Sequence, residues 1–73
     1  MTHAAAIGEH VRVAAYALAG VEVHAAEDEP AVQEAWDRLD DGVVCLILTR
    51  SARAALAHRL GERPRVVWAV LPQ

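Results

Sequence analysis

Several residue types are scarce in this chain, and each scarcity excludes a class of protein. Its 73 residues include one cysteine, Cys45, which excludes an intramolecular disulfide framework. No run of 18 or more apolar residues occurs, so no direct membrane insertion is expected. The N-terminus lacks a basic region followed by an apolar stretch and a cleavage site, so secretion is not expected. The sequence therefore indicates a cytoplasmic protein.

Lysine is absent, and the charges are unevenly distributed. The net charge is −3, which does not favour a nucleic-acid partner. The first 41 residues hold two arginines and nine acidic residues, whereas residues 42–73 hold five arginines and one acidic residue. This asymmetry fits two solvated faces of opposite sign, or a polar molecule that orients on a charged partner.

Four short apolar runs alternate with three helical segments. The runs cover residues 3–8, 21–25, 43–48 and 66–71. Such alternation predicts a three-layer α/β fold with a four-stranded parallel sheet and three helices, as in Rossmann-like and flavodoxin-like folds. The second run alternates Val and Ala with Glu22 and His24, which is typical of an edge strand. Right-handed crossovers then give the strand order 2-1-3-4.

Apolar stripes at helical spacing define the three helices. Gly20 ends the first, Asp28 and Pro30 begin the second, and Thr49 or Ser51 caps the third, which ends at Gly61. The stripes comprise Val11, Ala14, Ala15 and Leu18 in the first helix, Val32, Trp36 and Leu39 in the second, and Ala52, Ala55, Leu56 and Leu60 in the third. We expect the first helix on one face of the sheet and the other two on the opposite face.

Runs three and four are apolar at every position, which predicts strands buried on both faces, with Cys45 as a core residue. One helix cannot cover its whole face of a four-stranded sheet, so the area near strand 4 is expected to lack a lid. Such a face predicts an interaction surface. Charge and expected exposure make Arg65 and Trp68 candidate partner contacts.

In open parallel sheets, ligands bind where the strand order reverses, which here predicts a cleft at Gly8, Glu9, Thr49 and Arg50. No phosphate-binding glycine motif follows the first strand, and no aspartate ends the third as a phosphoacceptor would require. The four histidines and one cysteine lack the spacing of a zinc motif. No constellation for nucleophilic or acid–base catalysis is visible. The sequence therefore predicts no catalytic residue, no metal and no cofactor.

Three segments resemble the F subunit of V-type and A-type ATPases in order and spacing. Ile7-Gly8-Glu9, then Ala15, Tyr16 and Leu18-Ala19-Gly20, are similar to the opening of that family. Residues 41–49 resemble its third strand, which usually ends in Thr, and residues 64–72 resemble its fourth strand, which ends in Pro. The similarity covers most of the chain, although no single motif is highly specific. Where the family has a polar pair after the acidic residue, this chain has Val11 and Arg12, and Ala15 stands where glycine is common.

This resemblance implies one F-subunit-like domain, residues 1–73, on the central rotor stalk of an ATP synthase or V-type ATPase. Such a protein is not an enzyme; it couples or regulates proton transport through contact with the coiled-coil D subunit. It would be cytoplasmic and reach the membrane only through the complex. The family continues into a C-terminal rotor-binding helix, which this sequence does not contain. The alternative is a stand-alone binding or sensor domain, or a homodimeric interaction module.

Overall fold

The computed structural model describes residues 3–72, which form a four-stranded sheet with helices on both faces. The strands are β1 (His3–Gly8), β2 (Glu22–Ala25), β3 (Val43–Leu48) and β4 (Val67–Val70). The α-helices are α1 (His10–Val13), α2 (Glu29–Arg38) and α3 (Arg50–Ala55), and 3₁₀ helices span Ala14–Ala19 and Leu60–Glu62.

All neighbouring strands are parallel, and their order is β2-β1-β3-β4, which confirms the predicted topology. One row of side chains crosses the whole sheet, since Ala5 pairs with Glu22 and Leu46, and Leu46 pairs with Trp68. The register shifts near the start of β3, where His3 pairs with Val43 but Ala4 pairs with Cys45. Val44 is therefore an extra, bulged residue.

The main hydrophobic core lies between the sheet and helices α2 and α3. Alternate strand residues face this layer because successive side chains of a strand point to opposite faces. Trp36 is 1% exposed, and its indole N–H donates to Glu62 Oε1 at 3.0 Å. The predicted core role of Trp36 is confirmed. The cluster comprises Ala5, Ile7, Ala26, Val32, Ala35, Trp36, Leu39, Val43, Leu46, Leu48, Ala52 and Leu56.

Helix α2 begins as the sequence predicts. The Asp28 carboxylate accepts from the Ala31 backbone N–H at 3.0 Å, and Pro30 occupies the first turn, where its missing N–H costs nothing. Thr49 caps α3 by accepting from the Ala52 N–H at 3.4 Å. The predicted end of this helix at Gly61 is wrong, because α3 ends at Ala55. A turn follows, and Gly61 lies within the 3₁₀ helix Leu60–Glu62.

The predicted packing of the first helix is wrong. Its α-helical part stops at Val13, and Ala14–Ala19 is wound as a 3₁₀ helix. A 3₁₀ helix has three residues per turn, so the residues on one face recur every third position instead of every 3.6. Val13 is fully buried and Tyr16 is half-buried, whereas Val11 and Leu18 are 90% and 95% exposed. Gly20 ends this segment with φ 81°, as predicted.

The prediction that strands 3 and 4 are buried on both faces is also wrong. Cys45 is exposed, and all four residues of β4 are exposed. Two features explain this: β4 is an edge of the sheet, and the bulge at Val44 turns residues of β3 towards the face opposite α2 and α3, where α1 packs on β1 and β2 instead.

Candidate functional site

Glu9 and Thr49 meet at the carboxyl ends of β1 and β3. The Thr49 hydroxyl donates to Glu9 Oε1 at 2.7 Å, and the Ser51 hydroxyl donates to the same oxygen at 2.9 Å. These bonds, with Thr49 as the largest contributor, hold the pKa of Glu9 below its ordinary value. These hydrogen bonds connect the start of α3 to the start of α1. We call the contact between Gly8, Glu9 and Thr49 the junction.

The close contact with Thr49 explains why position 8 is a glycine. A methyl group at this position would lie 2.2 Å from Thr49 Cγ2, so the two strands could not keep their present approach. Arg50 follows as the first residue of α3, with an exposed side chain. The structure thus brings three of the four predicted cleft residues into direct contact, with Arg50 next to them in the chain. Ligand binding by these four residues stays a prediction.

A cavity of about 310 Å³ lies beside this junction, between the start of α2 and helix α3. It is lined by residues other than the four predicted ones, namely Ala26, Glu27, Asp28, Glu29, Val32, Ser51, Ala54 and Ala55. Two of its three carboxylates have structural partners: Asp28 caps α2, and Glu27 accepts from the His10 backbone N–H at 2.7 Å. The acidic rim therefore stabilises helix starts. Within residues 3–72, no group of three or more His, Cys, Asp or Glu side chains is arranged to hold a metal ion.

The face of the sheet opposite the main core is only partly covered. Helix α1 and the 3₁₀ helix Ala14–Ala19 pack on β1 and β2. There Ala6 and Val13 are fully buried yet lie outside the main core cluster. No comparable packing of α1 on β3 and β4 exists in the part of the chain that the structure describes.

We call this area the uncovered face; it comprises Val44, Cys45, Ile47, Val67 and Ala69, of which all but the half-buried Ile47 are exposed. Val67 is 70% exposed, which is high for a valine in a strand. The expected gap near strand 4 is therefore confirmed, although its extension onto β3 was not predicted. A bulge at Val44 leaves no trace in a run of six apolar residues, so the sequence carries no signal for it.

The open edge of the sheet contains both predicted contact residues. Trp68 is 39% exposed, and the Arg53 guanidinium lies 5.3 Å from its ring centroid, a cation–π arrangement. Arg65 is exposed just before β4 and makes no hydrogen bond or ion pair with another residue of the range 3–72. Arg53 was not singled out by the sequence, because its proximity to Trp68 depends on how α3 packs. Contact of Arg65 and Trp68 with a partner stays a prediction.

The fold and this surface define a small parallel α/β domain with one incompletely covered sheet face. Comparison of the chain with protein-family models, curated proteins and solved structures found no match. None of the helices within residues 3–72 is long and apolar enough to cross a membrane.

Proposed function

We propose that this domain is a non-catalytic, F-subunit-like component of the central rotor stalk of a V-type or A-type rotary ATPase. In this role it binds the coiled-coil D subunit and couples or regulates proton transport. It works in the cytoplasm and is held at the membrane only through the complex. No cofactor is required for this role.

The observation that carries the proposal is the uncovered face. Exposed valines in the strands of a small domain leave apolar area in water, and each buried square ångström of such area contributes roughly 25 cal/mol on association. In a three-layer α/β fold, a helix ordinarily covers this position. A helix of a coiled-coil partner has the shape and the apolar stripe to take that place.

The resemblance supplies the identity of the partner. Its three segments fall on coherent parts of the fold: residues 7–21 run from the end of β1 to the start of β2, residues 41–49 contain β3, and residues 64–72 contain β4. The Gly8, Glu9 and Thr49 junction joins the first two of these segments. These positions support the proposal because they belong to one structural unit.

Co-expression with the D-like subunit of the same genome, followed by size-exclusion chromatography with light scattering, tests the proposal. We expect a stable one-to-one complex. Val67→Asp places a charge on the uncovered face and should weaken binding at least about tenfold, because a buried unpaired charge is costly. Ala57→Asp is the matched control, at an exposed site in the turn after α3. If the folded chain forms no complex with the D-like subunit, the rotor assignment is wrong.

A homodimeric interaction module is the second candidate, favoured by the same uncovered face. Two copies could bury Val44 and Val67 against each other, as homodimer interfaces are enriched in apolar area. Light scattering of the chain alone discriminates the two candidates. A dimer that persists in the presence of the D-like subunit, and that Val67→Asp dissociates, would favour this second candidate.

A further inference from the structure

Strand β4 is an open edge without the protection that edge strands usually carry. Residues 66–71 contain no charged side chain, and every residue of Val67–Val70 is exposed. At the other edge, β2 carries Glu22 and His24, whose side chains bond to each other. Charged side chains on an edge discourage pairing with another chain. An additional strand can therefore pair with the β4 edge more easily than with the β2 edge.

The backbone of β4 presents free hydrogen-bonding groups along this edge. Leu71 N donates to Leu48 O at 2.8 Å, so Leu71 is directed towards β3. In a parallel ladder, alternate residues direct both their N–H and C=O groups to the same neighbour. The N–H and C=O groups of Trp68 and Val70 consequently point away from β3, which leaves two donors and two acceptors for an added strand.

Three arginines lie near β4 and place positive charge along this edge. Arg65 precedes the strand, and Arg53 stacks on Trp68 in its middle. At its far end, Arg12 donates to the Pro72 carbonyl oxygen at 2.7 Å. None of the three forms an ion pair with a carboxylate of residues 3–72. The acidic residue nearest to β4 in the sequence, Glu62, is bonded to Arg59 and Trp36, whereas Glu9 lies close enough to Arg12 for their charges to interact.

We propose that the β4 edge binds an extended, acidic segment of a partner protein as a fifth strand of the sheet. Main-chain bonds to Trp68 and Val70 would hold this strand, and carboxylates at its two ends would lie near Arg65 and Arg12, with Arg53 between them. Charge complementarity favours this occupant over a second copy, because a second β4 edge would bring the same three arginines. Strand addition rests on the proposed function only in requiring a protein partner, since an added strand would bind the backbone edge of β4, whereas the D-like subunit would bind side chains of the uncovered face.

A peptide titration followed by NMR on the ¹⁵N-labelled chain tests this proposal without the D-like subunit. The probe is a capped peptide, Asp-Val-Thr-Val-Thr-Val-Asp, which alternates for a strand and is acidic at both ends. One control peptide has Lys in place of both Asp residues, and another has Pro in place of the central Val and so lacks a backbone donor. We expect the acidic peptide to shift the Trp68 and Val70 amide signals and to slow their hydrogen exchange, with weaker binding at higher salt.

Matched variants of the chain test the role of charge. Arg65→Gln and Arg53→Gln should each weaken binding of the acidic peptide about two- to fivefold, as expected for exposed ion pairs. Arg38→Gln is the control, because Arg38 is exposed on α2 and paired with Glu34 at 2.8 Å. It should leave peptide affinity unchanged.

Four results would overturn the inference. They are equal binding of the Lys-ended peptide, signal changes confined to residues away from β4, no response at millimolar peptide, and protection of the Trp68 and Val70 amides by self-association without peptide. The complex with the D-like subunit is measured separately, so a failure of strand addition is distinguishable from a failure of the rotor assignment.

Discussion

At the scale of single residues, Thr49 connects three parts of the fold. Its hydroxyl donates to Glu9 and accepts from the Ala52 N–H, while its side chain packs on Gly8. Thr49 is 2% exposed, so these groups have little access to water. A buried hydroxyl with partners on both sides stabilises the fold through its hydrogen bonds and leaves polar groups unpaired when it is removed.

We expect Thr49→Val to lower the free energy of unfolding by about 1–2 kcal/mol, from the lost cap and the lost bond to Glu9. The folded-state pKa of Glu9 lies below its ordinary value of 4.5. Ionised Glu9 therefore stabilises the fold at pH values above its ordinary pKa. This contribution is lost as the pH falls through the folded-state pKa. Urea unfolding at several pH values from about 6 to 3 should show a flatter acid decline for Thr49→Val than for the wild type. Thr49→Ser keeps the hydroxyl and should retain the wild-type slope; a steep decline in Thr49→Val would contradict this role of the junction.

Gly8→Ala tests the close approach of β1 and Thr49. The added methyl group would meet Thr49 Cγ2 at 2.2 Å, and overpacking of this kind typically costs about 1–3 kcal/mol. Gly61→Ala is the control, since a methyl group there would have no atom within 4 Å apart from its own chain neighbours and local helix backbone. Thermal unfolding should show a clearly lower melting temperature for Gly8→Ala and little change for Gly61→Ala. Equal melting temperatures would mean that Thr49 moves aside freely.

At the scale of elements, the sequence predicts the strands better than it predicts the first helix. All four strands lie within or overlap the apolar runs, and α2 has the predicted cap and stripe because Asp28, Pro30 and Trp36 each act locally. The prediction for the first helical segment is wrong because the segment combines a short α-helix with a 3₁₀ helix. Val11 and Leu18 fit a 3.6-residue period, whereas in the structure Val13 is the buried residue, at the end of the short α-helix, and a 3₁₀ helix follows it.

This correction gives a direct prediction for the first helical segment. Val11→Ser and Leu18→Ser should each change the free energy of unfolding by less than about 0.5 kcal/mol, because both side chains are already in water. Val13→Ala should cost on the order of 2 kcal/mol, because Val13 is fully buried. Chemical denaturation of the three variants is the measurement. A large decrease in the free energy of unfolding for Leu18→Ser, with little effect of Val13→Ala, would instead support the apolar stripe expected from the sequence.

The candidate site could be predicted only in outline. Counting three helices for four strands was enough to expect an uncovered area near strand 4. The exposure of Cys45 could not be predicted, since it depends on a bulge at Val44 within a uniformly apolar run. The contact of Arg53 with Trp68 depends likewise on the packing of α3 against the sheet, which is a tertiary property.

At the scale of the whole molecule, the two faces of the sheet are covered to different extents. One face, under α2 and α3, holds the main core and therefore most of the buried apolar area. The other is covered over β1 and β2 and open over β3 and β4. A partner on the open area would complete the third layer of the fold without disturbing the core. In the proposed function, stability and binding thus depend on different faces of a very small domain.

Cys45 provides a probe of this division, because it is an exposed residue on the uncovered face. In the free chain we expect a thiol reagent such as Ellman's reagent to modify Cys45 at nearly the rate seen in urea, since access to the sulfur is not blocked by packing. Binding of the D-like subunit should slow the reaction at least about tenfold, because the partner helix would lie over this face. The control is Ala57→Cys in a Cys45→Ala background, whose thiol lies in the turn after α3 and should react equally fast with and without the partner. Slow modification in the free chain would mean that a second copy already covers the face, and unchanged reactivity of Cys45 in a formed complex would place the D-like partner elsewhere on the domain.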